Sequence, residues 1–117
     1  LRHLGFPIDE SIDVVPAPGE RPEWKSDKTP RRAYVAATHR VLLLIGDDFR
    51  DFTSEGLGTL AQRDVAVAKH RERWGREWIM IPNPMYGSWE RALIGTSDSL
   101  TDEEKRRRKL ERLDAKE

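Results

Sequence analysis

The chain has no cysteine in its 117 residues, which excludes disulfide staples, thiolate nucleophiles and thiolate metal ligands. It also lacks an excess of charge of either sign. Lysine plus arginine equals aspartate plus glutamate at 21 each, so no overall basic field exists to draw in nucleic acid or an anionic membrane surface. Long hydrophobic runs are missing too. The longest purely aliphatic stretch is Val41 to Ile45, against the roughly 20 residues that a membrane-spanning helix requires. The chain opens at Leu1 rather than at a methionine, so any signal peptide or lipid anchor is expected upstream of it.

What is present is a polar chain with little material for a core. Apolar residues make up 37% and charged residues 36%, so burial has to be concentrated in a few segments, and the length suits one small domain rather than two. Leu4-Gly5-Phe6-Pro7 reads as a helix end followed by a turn. Ile12 to Val15 is a β-branched stretch suited to a short strand, and Pro16 to Pro22 is a Pro/Gly/Glu-rich loop. Thr29 suits a helix N-cap and Pro30 the first turn, predicting a helix from Pro30 to about Thr38. Val41 to Ile45 has the pattern of a strand buried on both faces of a parallel sheet. A returning helix is expected between about Gly58 and Trp74, a second strand at Trp78 to Ile81, then a loop from Asn83 with a short helix after it. The tail from Thr101 to Glu117 reads as a charged helix capped by Thr101 or Asp102.

Chemistry concentrates where the best strand ends. Gly46-Asp47-Asp48-Phe49-Arg50-Asp51-Phe52 places three carboxylates in a turn at the C-terminal end of a strand, the position at which open α/β sheets bind ligands. Two carboxylates spaced as Asp47 and Asp51 could serve a hard divalent cation such as Mg2+, which prefers oxygen and keeps several waters. Lys28, nineteen positions before Asp47, sits ahead of an expected helix N-terminus, where an ammonium and helix amides together favour an anion. Read singly, the acids also suit an ordinary surface turn and the lysine a solvated side chain.

Ser26-Asp27-Lys28-Thr29 followed by paired arginines, then the hydrophobic strand, Gly46 to Phe52, and Ile81-Pro82-Asn83-Pro84-Met85-Tyr86-Gly87-Ser88-Trp89-Glu90, together resemble the C-terminal half of the class B-like, lipoprotein-type bacterial acid phosphatases and 5'-nucleotidases of the haloacid dehalogenase (HAD) superfamily. The resemblance runs from Leu1 to the terminal helix, so that residues 1–117 would be the C-terminal portion of one HAD-like domain. It implies an α/β fold, part of a HAD-like Rossmannoid parallel sheet with flanking helices that lacks the first strands. It also implies Mg2+ as cofactor and a small phosphomonoester as substrate, nucleoside monophosphates among them.

By the same resemblance, Lys28 matches the lysine that steadies the phosphoryl group, with Lys25 a less favoured occupant of that role. Asp47 matches the metal ligand, and Asp51 the second acid of the motif, with both a metal-linked and a catalytic role. Tyr86 and Trp89 match a loop near the mouth of the site that could stack on a leaving group. The family location would be periplasm or outer membrane.

One departure is large. The family attacks phosphate with the first aspartate of an Asp-x-Asp motif on its first strand, and no Asp-x-Asp occurs in these 117 residues. The resemblance therefore implies a piece that is inactive by itself, and a Val41–Ile45 strand with an edge that the missing N-terminal half or a partner chain would have to fill. A non-catalytic module binding a partner or Mg2+ through the same turn is the alternative. A receiver-like signalling domain ranks below both, because its lysine is expected on a later strand. His3, His39 and His70 show no ligand spacing. Trp74, Trp78, Trp89 and Tyr86 are expected to fill space against the sheet, and the basic run Lys105 to Lys109, interleaved with acids, to be a solvated helix face.

Overall fold

The computed structural model describes residues 2–5, 8, 15–95 and 100–112. The chain divides into two compact units, Leu1–His39 and Arg40–Glu117. Together they carry a mixed α/β architecture with a small parallel sheet and flanking helices, and no helix among the described residues is long and apolar enough to cross a membrane.

The first unit opens with a single 3-10 turn, Arg2–Leu4, closed by Gly5 at φ 77°. Of the expected strand Ile12–Val15, residues 12–14 lie outside those described, and Val15 stands in an exposed bend rather than a strand. Helix α1 spans Thr29–Ala36. Its N-cap is Lys28 rather than Thr29, because the Asp27 carboxylate reaches the Thr29 N–H at 2.9 Å and starts the helix one residue earlier. Pro30 falls in the first turn, as expected.

The loop before α1 is held by contacts the composition did not announce. Trp24 is buried, meets Tyr34 edge to face with ring centroids 5.2 Å apart, and lies under the Arg21 guanidinium at 4.8 Å. Arg31 donates to the backbone oxygens of Pro16 at 3.4 Å and Lys25 at 3.3 Å.

The second unit is built on two parallel strands, β1 (Leu44–Gly46) and β2 (Trp78–Met80), in the register Leu44 to Trp78, Ile45 to Ile79 and Gly46 to Met80. Helix α2 (Leu60–Lys69) lies between them in sequence, and opens with a reciprocal cap between Thr59 and Gln62. The core is Phe49, Phe52, Ala66 and Trp78, with Leu44 and Trp74 packed against it. Four aromatic rings dominate it, with centroids 5.2 Å apart for Phe52 and Trp74, 5.5 Å for Phe52 and Trp78, and 5.2 Å for Trp74 and Trp78. Tilted and edge-to-face pairs of this kind each add about 0.5–1.5 kcal/mol beyond area burial.

Three expectations need correction here. The aliphatic run Val41–Ile45 is not a strand buried on both faces. Only its end pairs, as β1, and Leu42 and Ile45 are 66% and 59% exposed. Side chains alternate across a strand, so Leu44 meets the aromatic core while Ile45 faces away from it, where no second layer covers it among the described residues. The helix expected from Gly58 to Trp74 ends at Lys69, followed by a 3-10 turn at Arg71–Arg73 and by Gly75 at φ 77°. This break returns the chain so that Trp74 and Trp78 face the same core. Tyr86, expected to fill space, is 68% exposed.

Helices α3 (Ser88–Ile94) and α4 (Asp102–Arg112) pack together, joined by the Lys109–Glu90 ion pair and by Arg108 donating to the Ile94 oxygen at 2.6 Å. Thr101 caps α4 in a reciprocal pair with Glu104. Its charges pair along the surface, Lys105 with Asp102 and Arg107 with Glu111, as expected of a solvated face. Residues 113–117 of the predicted tail lie outside those described.

His70 has a structural role that its sequence context did not reveal. Its ring stacks on Trp78 with centroids 4.8 Å apart, and its Nε2 meets Glu55 at 2.7 Å, while Lys69 donates to the other Glu55 oxygen at 2.5 Å. Glu55 belongs to the 3-10 turn Ser54–Leu57, so the trio ties that turn to the C-terminus of α2. The hydrogen bonds from Lys69 and then His70 hold the Glu55 carboxyl below its ordinary value of 4.5. A carboxylate depressed on folding stabilises the fold above its unfolded value, and that contribution is lost as pH falls through the folded value. Glu55→Gln is therefore expected to lower stability at neutral pH and to flatten the decline below about pH 4.5. Urea midpoints for the two proteins across that range check this; parallel curves would refute it.

Candidate functional site at the end of strand β1

Directly after β1 the chain turns through Asp47 and Asp48 into a 3-10 turn, Phe49–Asp51. Asp51 folds its carboxylate back toward the strand, where Oδ2 accepts the Asp47 N–H at 3.1 Å and the Asp48 N–H at 3.2 Å. Gly46 makes this return possible, since a Cβ there would run into the Asp51 side chain. Asp48 caps the same turn, accepting from the Arg50 N–H at 2.9 Å. Spacing alone supplies this part of the geometry, because residues one 3-10 turn apart meet on one side.

The second part comes from the loop after β2, which the parallel pairing brings alongside, with the Ile81 N–H donating to the Gly46 oxygen at 2.8 Å. Asn83 donates from Nδ2 to Asp47 Oδ2 at 2.8 Å. Its own Oδ1 accepts from the Met85 and Tyr86 N–H groups at 3.0 and 3.3 Å, and its backbone oxygen from Trp89 Nε1 at 3.1 Å. Asn83 is thus the organising residue of the loop. Trp89 is a half-buried brace upon it, and Tyr86 projects outward.

A third layer lies beneath the exposed acid. Ser88 donates both its N–H and its hydroxyl to Asp48, the hydroxyl at 2.7 Å. Arg63 of α2 donates to the Ser88 hydroxyl at 2.8 Å and to the Gly56 oxygen, with its guanidinium 5.2 Å from the Phe49 ring centroid. Burial alone would raise the Asp48 carboxyl, but the donors at Ser88 and Arg50 and the Arg63 charge outweigh it and hold it below its ordinary value. Burial lowers the Arg63 guanidinium against the opposing pull of Asp48 and Asp64.

Of the residues singled out from sequence, Asp47, Asp51, Tyr86 and Trp89 come together in the second unit. Lys28 belongs to the first unit, at the exposed N-cap of α1. Asp48, Asn83, Ser88 and Arg63 were not singled out. Asn83-Pro84 carried a turn signal that pointed to the loop, and Arg63 had no sequence signal, being one of several charged residues on a helix.

The donor set can be tested for a cation. No group of three histidine or carboxylate side chains is poised for a metal among the described residues. Asp47, however, is exposed, and the bond from Asn83 engages one of its two oxygens. Mg2+ is commonly held by one or two carboxylates plus waters and substrate phosphate, so a hard cation with Asp47 as protein ligand fits, while Asp51 Oδ2 is engaged by the Asp47 and Asp48 N–H groups.

Residues 1–89 match the family model described as HAD superfamily, subfamily IIIB (Acid phosphatase). Two solved structures of the class C acid phosphatase from Bacillus anthracis are similar to the chain. One is 34% identical with a TM-score of 0.68, covering 77% of this chain and 38% of that one. The other, with tungstate bound, is 32% identical with a TM-score of 0.71, covering 83% and 41%. Their label is class C, whereas the sequence resemblance was drawn to class B-like members; superfamily and acid phosphatase assignment are common to both. The chain spans about two fifths of the length of these relatives. With its α/β fold and a strand-end acid motif inside the matched region, the chain belongs to the acid phosphatases of HAD subfamily IIIB.

Proposed function

We propose that the chain is the C-terminal part of a single HAD-like phosphatase domain that hydrolyses phosphomonoesters, nucleoside monophosphates among them, with Mg2+ as cofactor. The observation that carries this is the Asp47–Asp51 turn at the end of β1, closed over by Asn83 from the neighbouring strand's loop. Acid phosphatases of this superfamily generally use a divalent metal. When bound, it would neutralise charge on the phosphoryl oxygens.

The residues have separable tasks. Asp47 presents a carboxylate oxygen to the cation, and Asp51, which accepts the Asp47 N–H, serves as the second acid of the motif in both the metal-linked and the catalytic role. Lys28 would balance phosphoryl charge as a point cation. Tyr86, exposed on the Asn83 loop, offers a ring to the leaving group, and Trp89 keeps that loop in place. The nucleophile would be the first aspartate of an Asp-x-Asp outside these residues, forming an aspartyl-phosphate. Phosphoryl transfer depends on positioning all parts together, so the 117 residues by themselves are expected to be inactive.

The uncovered aliphatic run supports a further requirement. Leu42 and Ile45 are exposed beside a strand with a single described neighbour, a hazard that an added strand from an N-terminal segment or a partner chain would remove. The test is hydrolysis of p-nitrophenyl phosphate by the 117-residue chain and by a version extended upstream along its coding DNA. Mg2+-dependent, chelator-sensitive turnover in the extended form alone is expected. Equal turnover in both, or none in an extended form that carries Asp-x-Asp, would overturn the proposal.

A further inference from the structure

We propose that Asp48, Ser88 and Arg63 act as a clamp that positions the Asp47 carboxylate, with Ser88 and Arg63 as positioning residues for cation binding. This rests on the metal role proposed for Asp47. The loops after β1 and β2 touch at two adjacent points. One is the exposed bond from Asn83 to Asp47. The other is the half-buried junction at which Ser88 donates twice to Asp48.

The exposed bond cannot hold the loops by itself, because water competes for both partners and the net worth of such a bond is about 1 kcal/mol. The half-buried junction is a different case. Asp48 accepts from Arg50 and Ser88, and the Ser88 hydroxyl that donates to Asp48 accepts in turn from Arg63. In this chain of charge-assisted bonds each member polarises the next, at both ends anchored on secondary structure. Gly87 permits the close approach, for a Cβ at this position would lie 2.8 Å from Asp48 Oδ2 and 2.7 Å from Trp89 Cδ1.

The consequence is geometric. Asp47 adjoins the clamp, and Asn83 lies five residues before Ser88, so loosening Ser88 from Asp48 releases the loop that holds Asp47 in place. Asp47 itself and its charge stay. Cation affinity should then fall through lost preorganisation rather than lost ligands, and groups that orient a ligand typically contribute about 10-fold to 100-fold to affinity.

The experiment measures Mn2+ binding to the upstream-extended enzyme by electron paramagnetic resonance, with Mg2+ competition, for the parent, Asp47→Ala, Ser88→Ala, Ser88→Thr and Arg63→Met. Near-UV circular dichroism follows packing in each. The parent is expected to bind and Asp47→Ala to lose binding. Ser88→Ala and Arg63→Met should weaken it about 10-fold or more with the parent's spectrum retained, and Ser88→Thr, which restores the hydroxyl, should recover it. Parent binding that Ser88→Ala and Arg63→Met leave unchanged overturns the clamp and spares the metal role. Loss in Ser88→Thr equal to that in Ser88→Ala, or losses matched by a collapsed spectrum, also overturn it. Absence of Asp47-dependent binding in the parent overturns the metal role and the clamp with it.

Discussion

Asp47→Ala is expected to abolish Mg2+-dependent phosphatase turnover in the upstream-extended enzyme while leaving the fold nearly intact. The two effects separate because of where Asp47 sits. It is exposed, adds nothing to the aromatic core, and gives up one solvent-facing hydrogen bond with Asn83, a stability cost of about 1 kcal/mol or less. The catalytic cost is larger, since a cation at a phosphoryl group contributes several kcal/mol of charge stabilisation and each 1.4 kcal/mol is tenfold in rate. A fall on the order of a thousandfold or more should follow, with the melting temperature lowered by about 4 °C at most. Steady-state rates across a Mg2+ titration give the answer, and undiminished turnover in the variant would sink the metal assignment.

The largest stability effect should come from Trp78→Ala. Trp78 is the buried residue of β2 that contacts Phe52, Trp74 and His70, so the change opens a hole where three rings meet. Truncating a buried tryptophan or phenylalanine to alanine costs about 3–5 kcal/mol. Small domains have net stabilities of about 5 kcal/mol or more, and this unit rests on four buried side chains. The variant is expected to lose its near-UV circular dichroism signal and any cooperative thermal transition at 25 °C. Tyr86→Ala, at a mostly exposed position, is the control, and should change stability by about 0.5 kcal/mol or less. A Trp78→Ala protein melting within a few degrees of the parent would show that the aromatic cluster is not the core.

The Asp47 site and the Trp78 core are coupled through the chain between them. Phe49 and Phe52 are core residues within the same seven-residue phrase that carries Asp47, Asp48 and Asp51. The acids are presented because the two phenylalanines between and beside them are buried, so the 3-10 turn is fixed from below by packing and from above by hydrogen bonds to Asp51. In this chain both positions are filled by buried aromatics, and Gly46 leaves room for the returning Asp51 side chain.

Local features were legible in the residues alone. Apolar runs placed β1 and β2 to within three residues, Pro30 and Thr101 placed helix starts, and Gly46 to Phe52 read as a tight turn carrying three carboxylates at the end of a strand. Each depends on residues close together in the chain, where sterics and capping act directly. Tertiary structure alone decided the rest. Whether Val41–Ile45 is buried depends on which strands lie beside it, and the sequence pattern of a covered strand is the same as that of a strand awaiting cover. Asn83 meets Asp47 across 36 residues, and Ser88 meets Asp48 across 40. Nothing local specifies those pairs, since a parallel pairing of two distant strands brings their C-terminal loops together, and only then do an asparagine, a serine and a helix arginine become parts of one site.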